Sequence, residues 1–523
     1  MRQSISFASG LVACIAAALL TACGGGGGGG GGGIPLLPVL PTTPVALSGT
    51  ATYESVPNPS GRLVYSDISV KPVRGAFVEV LDATSGSQLA TTSTDDNGAY
   101  SASVPSNANV VVRVRAQLTR TGALPSWDVT VRDNTQSNAI YSMQSSAFST
   151  GTAALTRDLR AGSGWGGSSY TSQRVSGPFA VMDTVYTAMQ KVLSVAPATA
   201  FPSLKVFWSV NNTNSGGSIA LGQIGTTFFI GRSSGAEIYV LGKEDVDTDE
   251  FDAPVIAHEW GHYYQASFSR DDSPGGAHST SELIDRRLAF SEGWGNGWSG
   301  IALGRSNYVD SGGPGQAQGG SLDLTQGPAT NRGWFRESSI QSIFWNLNQQ
   351  VGFKPIHDTM TGALFRSGAP VTSIHPFAVA FNATAQSSAS TLAALLTGQS
   401  ITVNDAYGAG EGNDGGVSIA LPMYKQAVVG TATSACVTNA ADPQRDGNKL
   451  GSFAYLRFTA PTNRGYQFTI SPPGGANPNY AIYRGGVVSR NTSSVNLSAG
   501  DYVLVVNDLN NSATSTCFGV IIQ

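Results

Sequence analysis

Ten consecutive glycines, Gly24 to Gly33, set the first limit on how this chain can fold. Residues without a β-carbon lose the most freedom on ordering and offer nothing to pack, so such a run behaves as flexible coil. The proline-studded residues 34–44 extend it. Whatever precedes residue 23 is therefore uncoupled from a body that starts near residue 45 and must build its own cores. Ahead of the glycines, Arg2 is followed by an apolar run from Ile5 to Leu20. That run is shorter and richer in alanine than a membrane span, which is the pattern of a secretory signal.

Composition agrees with export. Charged residues make up 12 % of the 523 and hydrophobic residues 41 %. This is the balance of a β-rich, loop-rich secreted protein with enough apolar side chains for two to four cores. The net charge of −4 is spread along the chain, and no Lys/Arg stripe marks a nucleic-acid partner. The signal ends in Leu20-Thr21-Ala22-Cys23, which resembles the lipobox of bacterial lipoproteins. The resemblance implies removal of residues 1–22, a lipid on Cys23 and a tether over 23–45. A Gram-negative host is assumed; with no aspartate after Cys23, the outer membrane is then the expected surface. The alternative is a plain secretory signal cut at the same place. In either case Cys436 and Cys517 remain, and in an oxidising compartment they are expected to form one disulfide.

Beyond the tether, short alternating segments (VALSGTATYES, GAFVEVLDA, GAYSASVP, VVVRVRA) are separated by turn clusters such as DATSGS and TDDNG. That is the pattern of a β-sandwich. Through PVRGAFVEVLD and TTSTDDNGAYSASVP, with Asp95, Gly98 and Tyr100, residues 46–116 resemble the carboxypeptidase regulatory-like domain, a module without chemistry of its own. Residues 178–195 place Phe179, Met182, Val185, Met189 and Val192 on one helical face, and residues 333–347 do the same with Ile340, Ile343, Phe344 and Leu347. After residue 430 the β pattern returns, and LSAGDYVLVV resembles the pre-peptidase C-terminal domain of secreted bacterial proteases.

Between these β segments stands His258-Glu259-Trp260-Gly261-His262, preceded by Asp252 as expected N-cap and Pro254 in the first turn. Histidines four apart share one helix face and can reach one tetrahedral ion, while Glu259 can reach a water there without ligating. A third ligand is needed. The following residues, Tyr263 to Ala266, exclude the HExxHxxGxxH pattern. Residues 281–304 read as a second helix, opened by a capping box from Ser279 to Glu282, and two glutamates compete on it. Glu292 lies in AFSEGW with Asn296 one turn on, where a side-chain acceptor can orient a ligating histidine. Glu282 is the alternative; it is followed by Arg286 and is occupied by the cap. Glu292 is the expected ligand. Gly293, Gly295, Gly297 and Gly300 are expected to let this helix pack closely on the first.

Residues 236–304 resemble the gluzincin clan of zinc metallopeptidases, through EIYVLG, DTDEFDAPVIAHEWGHY and RRLAFSEGWGNGWSGIA. Asn296 departs from the aspartate of thermolysin-like members, and the interval holding DDSPGGAHST is longer. The resemblance implies an α+β chain with a zincin-like catalytic domain over 117–430, flanked by β-sandwich domains at 46–116 and 431–523. It further implies one Zn²⁺ held by His258, His262 and Glu292, with Glu259 as general base in the hydrolysis of peptide or protein substrates. The strand around Ala236 to Gly242 is the expected cleft edge, able to receive a substrate as an added strand. His278, His357 and His375 are the candidate histidines for an oxyanion donor. Asp245, Asp247, Asp249, Glu250 and Asp252 read as a solvated loop at a helix N-terminus, with a Ca²⁺ site as the second reading. Two rival functions stay open, a degenerate zincin-fold binding or adhesion lipoprotein and a zinc hydrolase of a non-peptide bond.

Overall fold

In the computed structural model, which describes residues 43–232, 234–511 and 514–523, strand β1 (Pro44–Ser55) alternates buried and more exposed positions along its length. VALSGTATYES dictates this, since successive side chains of a strand point to opposite faces. The expected signal peptide, the lipidated Cys23 and residues 23–42 of the tether lie outside the described residues. Six further strands follow: β2 (Ser69–Pro72), β3 (Ala76–Asp82), β4 (Gln88–Ser93), β5 (Ala99–Pro105), β6 (Asn109–Arg120) and β7 (Trp127–Asp133).

They divide between two sheets. In the first, β1 pairs antiparallel with β2 and β5 and parallel with the short strands Leu155–Thr156 and Leu159–Ala161. In the second, β3 lies between β4 and β6, and β6 continues onto β7. The boundary expected at residue 116 falls inside β6. The same sheet runs on through Leu204–Trp208 and Gly235–Val240 to Phe228–Arg232. Inward-facing residues of both sheets, such as Leu47, Tyr53, Val78 and Val112, share one core with the helices that follow. The N-terminal β segment is thus continuous with the central region instead of closing on itself.

Four helices matter for the site: α1 (Ser176–Leu193), α2 (Ala253–Phe268), α3 (Arg286–Leu303) and α4 (Glu337–Val351). Helices α1 and α4 bury the apolar faces that their periodicity defines. Helix α3 starts at Arg286, not at residue 281. Asp285 caps it by accepting from the Arg287 N–H, and Glu282 lies before it, with Oε2 3.4 Å from Lys449 Nζ. The expected capping box does not form because residues 283–285 are recruited elsewhere. Leu283 O accepts from Leu450 N, and Asp285 N donates to Asn448 O, both at 2.9 Å. Asp252 stands at the N-cap of α2 but makes no side-chain cap bond. Its carboxylate instead accepts from Asn58 Nδ2 (2.5 Å) and from Ser311 N and Oγ (2.7 and 2.6 Å), tying distant segments to the start of the helix.

The C-terminal residues form two antiparallel-rich sheets around a core of their own, which includes Phe458, Tyr466, Leu504 and Phe518. Cys436 and Cys517, directly opposite on paired strands, form a disulfide. The molecule is a mixed α+β structure with several β-sheets. Among the described residues no helix is long and apolar enough to cross a membrane.

Candidate metal centre

Helices α2 and α3 meet along a seam of aromatic rings. Trp260 and Tyr264 of α2 stack on Trp298 of α3, with centroids 5.3 and 5.4 Å apart and planes within 20°. Trp294 donates its indole N–H to Gly261 O at 3.0 Å. One glycine makes room at the site itself: a β-carbon on Gly295 would lie 2.7–2.9 Å from the His258 ring. The other glycines of α3 serve different neighbours. Those on Gly293 and Gly297 would strike Ile340 and Phe344 of α4, and that on Gly300 would strike Leu324. The expectation that all four face α2 is corrected to Gly295 alone.

The seam brings three side chains to one point. His258 Nε2 lies 3.0 Å from His262 Nε2 and 3.2 Å from Glu292 Oε2, and His262 Nε2 lies 3.4 Å from the same oxygen. Bonds of 2.0–2.1 Å in tetrahedral geometry would separate neighbouring ligand atoms by about 3.3 Å. The triangle therefore has the size of one face of such a site. Protonation agrees with this. Asn296 Oδ1 can only accept, so at 2.9 Å it fixes the proton of His258 on Nδ1. Ser291 Oγ has two acceptors for its single hydrogen, Gln265 Oε1 at 3.2 Å and Asp271 Oδ2 at 3.4 Å. It is left to accept from His262 Nδ1, also at 3.2 Å. Without an ion, burial is outweighed by Glu292, which pushes the His262 imidazole up to about 9, so that protons fill the gap between the nitrogens and the carboxylate. With those protons gone, both Nε2 lone pairs and the carboxylate face one point that a cation can occupy. Glu282 takes no part in it.

Glu292 and Glu259 differ in electrostatic setting. Burial works against the charge of Glu292, yet His262, His258 and His278 hold its carboxyl well below the usual carboxylate range. Burial pushes the Glu259 carboxyl up, with His258 and His262 opposing. Glu259 Oε2 accepts from the backbone N–H of Phe229 at 2.8 Å. Phe229 belongs to the strand Phe228–Arg232, which is the true sheet edge. The strand expected to be the edge, Gly235–Val240, is paired on both sides, because Phe228–Arg232 folds back on it.

Of the three remaining histidines only His278 faces the site. Its Nε2 lies 3.3 Å from Glu292 Oε2 and its Nδ1 2.8 Å from Glu337 Oε2. Glu337, in the first turn of α4, is thus engaged with His278 and buried. His357 Nδ1 instead lies 2.9 Å from the Tyr264 hydroxyl, and His375 Nε2 lies 3.5 Å from Glu411, both away from the centre. The acidic approach to α2 is not a solvated loop, since Asp249, Glu250 and Asp252 are at most 2 % exposed. Glu250 pairs with Arg174 at 2.6 Å and Asp245 accepts from Gly315 N, while Asp247 and Asp249 converge with Asp310. Sequence reasoning missed Ser291, Tyr308 and Asp310. Each comes from a segment whose position no local spacing reveals, apart from Ser291, which adjoins Glu292. A cavity of about 1200 Å³ opens over the centre and includes His258, Glu259, Glu292, His278 and Tyr308 in its walls.

No family model matches the chain, and no curated protein matches it. Among solved structures, the pre-peptidase C-terminal domain of a collagenase from Bacillus anthracis is similar at 9 % identity. That match covers 19 % of this chain and 94 % of the other, with a TM-score of 0.16. PliG of Salmonella Typhimurium, a periplasmic inhibitor of g-type lysozyme, matches at 15 % identity over 19 % of this chain and 99 % of its own, with a TM-score of 0.14. A 9R-lipoxygenase from Cyanothece PCC8801 matches at 11 % identity over 29 % and 24 %, also at 0.14. Similarity at this level carries no argument about activity. The likeness drawn from LSAGDYVLVV meets only the first of these distant matches.

Proposed function

We propose that the chain is a zinc-dependent metallopeptidase with a zincin-like catalytic region, acting outside the cytoplasm and held to a membrane by lipid on Cys23. The observation that carries this is the convergence of His258, His262 and Glu292 in one triangle of ligand size, with Glu259 beside His258 in the same helical turn. Two imidazole nitrogens and a carboxylate oxygen, with space left over them, suit zinc in a hydrolytic site. A bound zinc ion supplies a Lewis acid that acidifies water and polarises a carbonyl. The remaining chemistry belongs to the chain. Glu259, raised by burial, accepts a proton from the attacking water and returns it to the leaving amine. His278, at the cavity wall, gives one ring nitrogen to Glu292 and the other to Glu337, and so positions the acidic ligand. The edge Phe228–Arg232, apart from the Phe229 N–H that Glu259 holds, offers main-chain groups to an extended peptide. The Cys436–Cys517 disulfide is in keeping with an oxidising compartment.

The test is metal analysis of the purified chain together with cleavage of a peptide library by wild type and Glu259→Gln. One zinc per chain is expected in both, with cleavage reduced at least about 100-fold in the variant. Equal cleavage would overturn the role of Glu259. Zinc without cleavage of any peptide by the wild type would favour a binding role or a non-peptide substrate.

A further inference from the structure

Asp247 opens the two-residue strand Asp247–Thr248, Asp249 directly follows it, and Asp310 lies on the neighbouring strand Asn307–Gly312. One carboxylate oxygen from each lies within 4.8 Å of those of the other two. Asp249 is 2 % exposed. Its Oδ2 accepts from the Thr227 hydroxyl, while its Oδ1, buried, has no hydrogen-bond partner. Asp247 Oδ1 is likewise buried and without a partner. A buried acceptor left unsatisfied costs about 1–3 kcal/mol, more when charged, so native structures seldom keep two together. The charges that bear most on Asp247 and Asp249 are negative as well, coming from Asp310, Glu250 and Asp252.

We propose that Asp247, Asp249 and Asp310 form a second cation site, separate from the histidine centre, that takes Ca²⁺. The donors are all carboxylate oxygens, which a hard cation prefers and which zinc does not require. The position gives such an ion a task. Strand Asp247–Thr248 joins Asn307–Gly312 through a single residue pair, Asp247 with Gly312. An ion shared by Asp247 and Asp310 would fasten that weak seam. The three aspartates belong to the wall of the same cavity as His258 and Glu259, so the ion would brace one side of the cleft without joining its chemistry.

The test uses the full chain saturated with zinc and calcium chloride as the added probe, read by isothermal titration calorimetry and by the thermal unfolding midpoint. Wild type is expected to bind one calcium with a dissociation constant of about 10⁻⁴–10⁻³ M or tighter, and to unfold at a higher temperature with it. Asp310→Asn and, as an independent variant, Asp247→Asn are expected to bind calcium at least about tenfold more weakly while keeping their zinc. The proposal is overturned if wild type shows no calcium response at about 10 mM, some ten times the weakest expected constant. It is equally overturned if both variants respond as wild type does, or if they are simply more stable than wild type with no calcium dependence in any of the three.

Discussion

A carboxylate that binds a cation must stay charged, whereas one that carries a proton must be able to hold it. Glu292 and Glu259 sit in surroundings of those two kinds. Three imidazoles around Glu292 favour its charge, and burial of Glu259 with one backbone donor raises its proton affinity. Replacing Glu292 with glutamine is therefore expected to weaken zinc binding at least about 100-fold in chelator competition, more than loss of an outer-shell partner costs. Glu282→Gln is expected to leave zinc binding unchanged, because Glu282 faces Lys449. An equal loss in both variants would remove the distinction. The pair His258 and His262 was legible from spacing alone, since four residues make a helical turn. The choice of Glu292 over Glu282 rests on the AFSEGW setting with Asn296 one turn on and on the cap assigned to Glu282; Asn296 does meet the His258 ring, whereas that cap does not form. His278 was one of three candidate histidines that the sequence could not tell apart, and Asp310 was not legible as a neighbour of the centre. They are placed by loops and strand pairing, which leave no periodic trace.

At the scale of elements, α3 is held from both sides by backbone-close contacts. Gly295 admits the His258 ring, while Gly293 and Gly297 admit α4. Gly295→Ala adds one methyl where the His258 ring already lies within 3 Å, and overpacking of this kind costs about 1–3 kcal/mol. The variant is expected to unfold at a lower temperature and to bind zinc more weakly, whereas a methyl at the open Gly304 end would not touch the ring. Zinc affinity equal to wild type, measured by competition, would argue against that placement. Helices with a clear apolar face, α1 and α4, could be read from periodicity to within a few residues at their ends. The start of α3 could not, because tertiary bonds from residues 448–450 claim the segment that the local capping pattern marked. The sheet edge was misplaced by one strand for a similar reason: two adjacent apolar segments read alike, and only pairing decides which is outermost.

At the scale of the whole molecule, the sequence marks its strands well but hides where one core stops. Turn clusters punctuate the N-terminal half, yet β6 and β7 carry its sheet straight into the region of the site. Stability depends on pH through groups far from the centre. His375 is 1 % exposed, and burial holds its imidazole below the ordinary value despite Glu411 beside it. A histidine depressed in the fold contributes stability that is present above about pH 6.5 and is lost as pH falls toward its folded value, at up to about 1.4 kcal/mol per pH unit. Thermal midpoints between about pH 8 and pH 5 are expected to fall less steeply for His375→Gln than for wild type. Parallel curves would assign the acid sensitivity elsewhere.

The N-terminal end of α3 is clasped by the C-terminal sheets. Asp285 caps the helix, holds Arg287 Nε at 2.8 Å and accepts the Tyr455 hydroxyl at 2.5 Å, while the Arg287 guanidinium lies 4.3 Å from the centre of the Phe453 ring. Two helical turns further on, the same rod carries Glu292. The C-terminal β region is therefore no detachable cassette. Grafting it away, or exchanging it for another module, would loosen the shaft on which the acidic donor rides.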